Sequence, residues 1–139
     1  MRSSLVLGGL VLLGCGGGHG SLPIALSASP ASSPPQAIAC ARAKVDTLGY
    51  GLTSFDETDF RLTARKNDYN AHRADPKFRR NVDRLEVEAA PGADGNTKLT
   101  VVGRTYAEYS TERGPTEVEE SASTDVRNTA QAVVDACGH

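Results

Sequence analysis

The chain has 139 residues, with 15 Lys and Arg against 17 Asp and Glu, for a net charge of −2. This near balance gives no electrostatic footprint for nucleic acid, and the length leaves room for one domain with one modest core. With three Phe, four Tyr and no Trp, that core must be built mainly from Leu, Val, Ile and Ala.

The chain opens with Arg2 and an unbroken apolar run from Leu5 to Leu13. A run of about nine residues suits the apolar region of a signal peptide, whereas a spanning helix needs roughly 20. It ends at Leu12-Leu13-Gly14-Cys15. This motif resembles the lipobox of bacterial lipoproteins, which has Leu, a small or aliphatic residue, Gly or Ala, then Cys. The resemblance implies a signal peptide over 1–14, cleavage after Gly14, and a diacylglyceryl group on the Cys15 thiol. Acylation of the new N-terminus, for instance by palmitate, would complete the anchor. One acyl chain holds a membrane weakly and two or three hold it firmly, because each buried CH₂ contributes about 0.8 kcal/mol. Gly16 is not the Asp that retains such proteins at an inner membrane. The resemblance therefore implies an outer membrane, facing the periplasm, if the organism has two membranes.

From Gly16 to Pro35 the chain is mostly Gly, Ser, Ala and Pro. Such a composition predicts a flexible linker over 15–35, spanning about 25 Å as a coil, with His19 solvated inside it. The globular part is expected over 36–139.

That part begins with a helix from Gln36 to Leu48, preceded by Pro34-Pro35 and stopped by Gly49. Ile38, Ala41, Val45 and Leu48 fall on one face. Tyr50 to Phe55 and Thr58 to Lys66 read as two strands about a turn at Asp56-Glu57, with Phe60, Leu62 and Ala64 alternating inward. Leu85, Val87 and Ala89 alternate likewise, and Pro91 to Asn96 is turn-forming at almost every residue. Lys98 to Tyr109 returns as a long strand whose Gly103 suggests a bulge or a helix packed close. Thr124 to Cys137 reads as the closing helix, capped by Ser123 or Thr124 and ended by Gly138, with Val126, Ala130, Val133 and Cys137 on one stripe. The order is α-β-β-β-β-α. Its economical packing is an α+β domain, a four-stranded antiparallel sheet with the N- and C-terminal helices on one face. Element order, lipobox and the phrase Leu48-Gly49-Tyr50 are similar to the helix-grip domains of BamC-like outer-membrane assembly lipoproteins, a resemblance that assigns no functional residue.

Of three cysteines, Cys15 is assigned to lipid, leaving Cys40 and Cys137. An even number in an oxidising compartment points to a disulfide; a metal or redox pair is the competing reading, without CxxC spacing and with His139 alone nearby.

Catalysis needs a nucleophile, a base and an orienting group. Only His72 lies inside the domain away from the terminus, in a polar stretch, and no GxSxG, HExxH or phosphate-binding glycine loop occurs. The sequence thus predicts no enzyme and no cofactor. Asp56, Glu57 and Asp59 are either a solvated turn or a weak Ca²⁺ site; they lack the spacing of an EF-hand, and no metal is expected. The segment 65–80 carries Arg65, Lys66, Arg73, Lys77, Arg79 and Arg80, interleaved with Tyr69 and Phe78. It can meet anionic glycan or lipid. Alternatively, it neutralises the acidic stretch of Glu108, Glu112, Glu117, Glu119, Glu120 and Asp125 across a sheet edge, or joins two copies head to tail. Two expectations follow. The first is a non-enzymatic scaffold or accessory domain that binds another envelope protein through an apolar patch on the open sheet face. The second is a module for anionic glycan or lipid acting through 65–80.

Overall fold

The computed structural model describes residues 22–139. The lipobox, Cys15 and His19 lie outside the described residues. Among the described residues, the elements are β1 (Ile24–Ala28), α1 (Pro34–Thr47), β2 (Gly51–Asp56), β3 (Arg61–Asp68), β4 (Phe78–Pro91), β5 (Thr97–Thr111), β6 (Gly114–Glu120) and α2 (Thr124–Cys137). The fold is mixed α and β, as expected, but the antiparallel sheet has six strands rather than four. No described helix is long and apolar enough to cross a membrane.

The two additional strands share one edge. β5 pairs with β4 along one side, from Phe78↔Tyr109 to Pro91↔Thr97. Its other side is divided: β1 takes Leu99 to Gly103 and β6 takes Thr105 to Thr111. β1 and β6 therefore lie end to end, and Ala122 N–H donates to the Leu22 carbonyl at 3.0 Å where they meet. β3 and β2 complete the order β1-β5-β4-β3-β2.

β1 corrects the expected linker, because 24–28 is paired sheet rather than leash. The composition of 15–35 hides a short alternation: Ile24, Leu26 and Ala28 pair with Gly103, Val101 and Leu99, while Ala25 and Ser27 turn away. Three apolar residues on one side of a ready-made strand edge suffice to order a stretch that would not order alone. Gly103 is the close approach. A Cβ there would meet Ile24 Cγ2 at 2.7 Å and Val126 Cγ2 at 2.8 Å, so β1 and α2 both press on it. β6 was hidden by its charge, which the sheet neutralises as described below.

α1 starts two residues earlier than expected. Pro34 and Pro35 occupy its first turn, where the missing N–H groups cost nothing, and the Gln36 side chain accepts from Ser33 N–H at 3.1 Å. It ends as expected at Gly49, which adopts φ 84°, with Tyr50 N–H donating to the Val45 carbonyl. α2 is capped by Ser123, whose hydroxyl accepts from Val126 N–H at 3.0 Å.

Register places Leu62, Ala64, Leu85, Val87, Ala89, Leu99 and Val101 on one sheet face. They form a single core with Ala37, Ile38, Ala41 and Val45 of α1 and with Val126, Ala130, Val133 and Cys137 of α2. Cys40 and Cys137 are joined by a disulfide with Cα atoms 5.8 Å apart, linking the two helices across 97 residues of sequence. Closing so long a loop contributes up to about 4–5 kcal/mol in the chain-entropy account.

Candidate docking site

The expected basic segment is not one surface. The sheet divides it between two faces, and five of its six bases meet carboxylates. Arg65, Arg79 and Arg80 surround Glu108 on the face away from the helices, at 3.3, 3.8 and 3.0 Å. Glu108 is only 4 % exposed there. Lys66 pairs with Asp125 at 2.9 Å, at the start of α2. Arg73 holds Glu120 at 2.5 Å and reaches the Tyr109 hydroxyl and Asn81, so it ties the 69–77 loop to β4, β5 and β6. The Arg73 hydrogen bond is the main reason that Glu120 stays ionised below the usual carboxylate range. Lys77 has no carboxylate partner among the described residues. His72 is exposed in the loop.

The open sheet face corrects a second expectation, because it is charged rather than apolar. Arg61–Glu88 and Arg104–Glu119 pair across neighbouring strands, and Arg84 of β4 reaches over β5 to Glu117 of β6. The Arg84 guanidinium also lies 4.6 Å from the Tyr106 ring centroid. The acidic stretch that carries β6 thus supplies counter-ions for Arg65, Arg84 and Arg104 of β3, β4 and β5. An apolar partner surface would have to strip water from this lattice, at a cost that ion-pair geometry repays only in part.

A buried polar cluster sits beneath α2. Asp83 accepts from the Thr105 hydroxyl at 2.5 Å and from the Ser123 hydroxyl at 2.9 Å. Burial holds its carboxyl above the usual range. Burial likewise raises the phenol of Tyr50. These groups fix the end of α2, and Ser123 Oγ is committed to its cap. Among the described residues no three His, Cys, Asp or Glu side chains converge as a metal set. In the acidic turn, Asp56 accepts from Thr58 N–H at 2.8 Å and Asp59 N–H at 3.0 Å. Those backbone bonds keep its pKa below the ordinary value.

A concavity with mainly apolar walls lies between α1 and β2. It has a volume of about 660 Å³ and is walled by Ile38 and Ala39 of α1, Leu52 and Phe55 of β2, and Phe60 of the following turn. Several features open it. Ala39 and Ala43 are too small to fill the space beside β2. β2 carries a register shift between Leu52 and Ser54. Leu52 pairs with Ala64 and Phe55 with Leu62, so the extra residue Thr53 puts both large side chains on the helix face despite their odd spacing. Leu52 remains 40 % exposed. Phe60 adopts φ 49°, a left-handed conformation rare for an aromatic, and its carbonyl accepts from Ala89 N–H at 3.0 Å. Arg42 lies 4.7 Å above the Phe55 ring.

None of Arg42, Leu52, Phe55 or the conformation of Phe60 was singled out from the sequence as a site. The visible signal was Leu52 and Phe55 in a strand of otherwise small residues, three apart, which breaks the alternation of a regular strand unless a bulge intervenes.

No protein-family profile matches this sequence, and no curated protein is significantly similar to it.

Proposed function

We propose that this chain is a cell-envelope lipoprotein, anchored through lipid on Cys15, whose folded domain is a non-enzymatic accessory module that docks another envelope protein. In a two-membrane organism it would sit on the outer membrane and face the periplasm. The docking surface in this reading is the α1–β2 groove rather than the open sheet face. One observation carries it: the groove has mainly apolar walls, and it carries Leu52 exposed on an uncovered strand. Exposed apolar surface rimmed by polar side chains is the usual mark of an interaction site. The anionic-glycan reading has less support, because Arg65, Lys66, Arg73, Arg79 and Arg80 already have internal carboxylates. An anion would have to displace them.

The anchor is tested by intact-mass analysis of the native protein beside a Cys15→Ala control. Acylation should be present in the first and absent in the second. Docking is tested by capture from detergent-solubilised envelopes with wild type, Leu52→Asp and Thr100→Asp, the last lying on the open face. A stoichiometric partner should be lost with Leu52→Asp and kept with Thr100→Asp. Loss with Thr100→Asp alone would return the site to the sheet face.

A further inference from the structure

Resting on that reading, we propose that the partner contributes an extended segment of alternating apolar residues with a basic residue at one end, added as a strand along the free edge of β2. β2 pairs only with β3 and ends the sheet, so its outer backbone groups have no strand partner among the described elements. Edge strands are normally blunted by charge, proline, a bulge or short length. β1 is uncharged but only five residues long, and β2 keeps the bulge at Thr53, so an added strand would pair on either side of it. β6, on the opposite side, carries Pro115, Glu117, Glu119 and Glu120. β2 reads Gly-Leu-Thr-Ser-Phe-Asp, with no charge before Asp56 and no proline. The groove lies directly beside this edge, since Leu52 and Phe55 line it. An added strand would hydrogen-bond to β2 and drop alternate side chains between Leu52, Phe55 and Ile38. This is how strand addition divides affinity between backbone and pockets.

Charge sets the chemistry of the segment. Asp46 and Glu57 line the groove, and Asp56 and Asp59 stand in the adjoining turn. Arg42 is the cation of the lining, and its guanidinium is stacked on Phe55. Arg61 faces Asp56 across the hairpin and offsets part of this charge, but Glu57 and Asp59 leave the hairpin end of the rim net acidic, which favours Lys or Arg on the incoming segment. The same charge disfavours the head of an anionic amphiphile. An acyl chain would also leave the backbone row of β2 in water.

The test uses the folded, oxidised protein with isotope-labelled amides and three probe peptides. The first is acetyl-Lys-Lys-Thr-Val-Thr-Val-Thr-amide, the second has Glu for both Lys, and the third is the first with alternate residues N-methylated. The Lys peptide should perturb Ile38, Leu52 and Phe55 and slow amide exchange in 51–56 at least about tenfold at saturation. The Glu peptide should bind roughly two- to fivefold more weakly per lost ion pair. The N-methylated peptide should leave β2 unprotected. The inference is overturned if the Lys peptide does not bind, if the Glu peptide binds as well, or if the groove fills while 51–56 exchange at the free rate. It is also overturned if palmitate fills the groove in competition with the peptide and is the tighter ligand. The docking reading itself fails separately, when capture of the envelope partner is insensitive to Leu52→Asp.

Discussion

Substituting Gly103→Ala should destabilise the domain by about 1–3 kcal/mol, the usual cost of overpacking a filled core. The added methyl would stand 2.7 Å from Ile24 Cγ2 and 2.8 Å from Val126 Cγ2, with the Val126 carbonyl oxygen at 3.5 Å. Carbon atoms prefer about 3.5–4.0 Å, so each neighbour must withdraw by about 1 Å. Both are β-branched and stiff at χ1, and they belong to different elements, β1 and α2. One rotamer change therefore cannot relieve both contacts. At about 4–8 °C per kcal/mol for a domain near this size, the melting temperature should fall by roughly 5–20 °C. Circular dichroism of the oxidised protein measures this, with urea unfolding for the free energy. The stronger test is a double-mutant cycle. Ile24→Ala alone leaves a cavity and costs about 2–5 kcal/mol before any discount for its partial exposure. In the Gly103→Ala background it also makes room for the new methyl, so its cost should shrink by at least about 0.5 kcal/mol. If Gly103→Ala is neutral, or the two changes simply add, β1 does not pack against β5 as described.

Other consequences are more direct. Replacing Cys40 and Cys137 together by Ala should cost about 2–5 kcal/mol, read as a lowered urea midpoint, with wild type in reductant moving to the same value. Asp83 has a folded pKa raised above its unfolded value, so its neutral form favours the folded state; that contribution is present below the unfolded pKa and fades as pH rises through the folded one. Asp83→Asn should accordingly gain on wild type as pH climbs from about 3 to 7, and a constant difference would contradict the assignment. Glu120 has the opposite sign. Its pairing with Arg73 stabilises above the unfolded pKa and is lost as pH falls through the folded one, so Glu120→Gln should flatten the acid side of the stability profile.

Much of the fold was legible in sequence because the decisive signals were local. Ile38, Ala41 and Val45 on α1, and Val126, Ala130 and Val133 on α2, hold the stripes their spacing predicts. The 85–109 hairpin follows from alternation around Pro91 to Asn96, and the Cys40–Cys137 bridge from parity and stripe position. The misses have a common physical origin. β1 and β6 are stable only against β5, so neither looks like a strand alone: Ile24 and Leu26 are diluted by Ser, Ala and Pro, and β6 is mostly acidic until Arg73, Arg84 and Arg104 meet its carboxylates. The charged stretches were legible as a pair, and neutralisation across strands was among the alternatives. The division of 65–80 between two faces was not, because it depends on which residues of β3 and β4 point each way. The groove depends on the bulge at Thr53 and on the conformation of Phe60, neither of which a linear pattern reveals.

The most direct test of docking at the α1–β2 groove is photo-crosslinking in intact envelopes, with Leu52→benzoylphenylalanine compared with Thr100→benzoylphenylalanine. The account predicts one dominant protein adduct at Leu52 and none at Thr100. An adduct at Thr100 without one at Leu52, or lipid alone at Leu52, would contradict it.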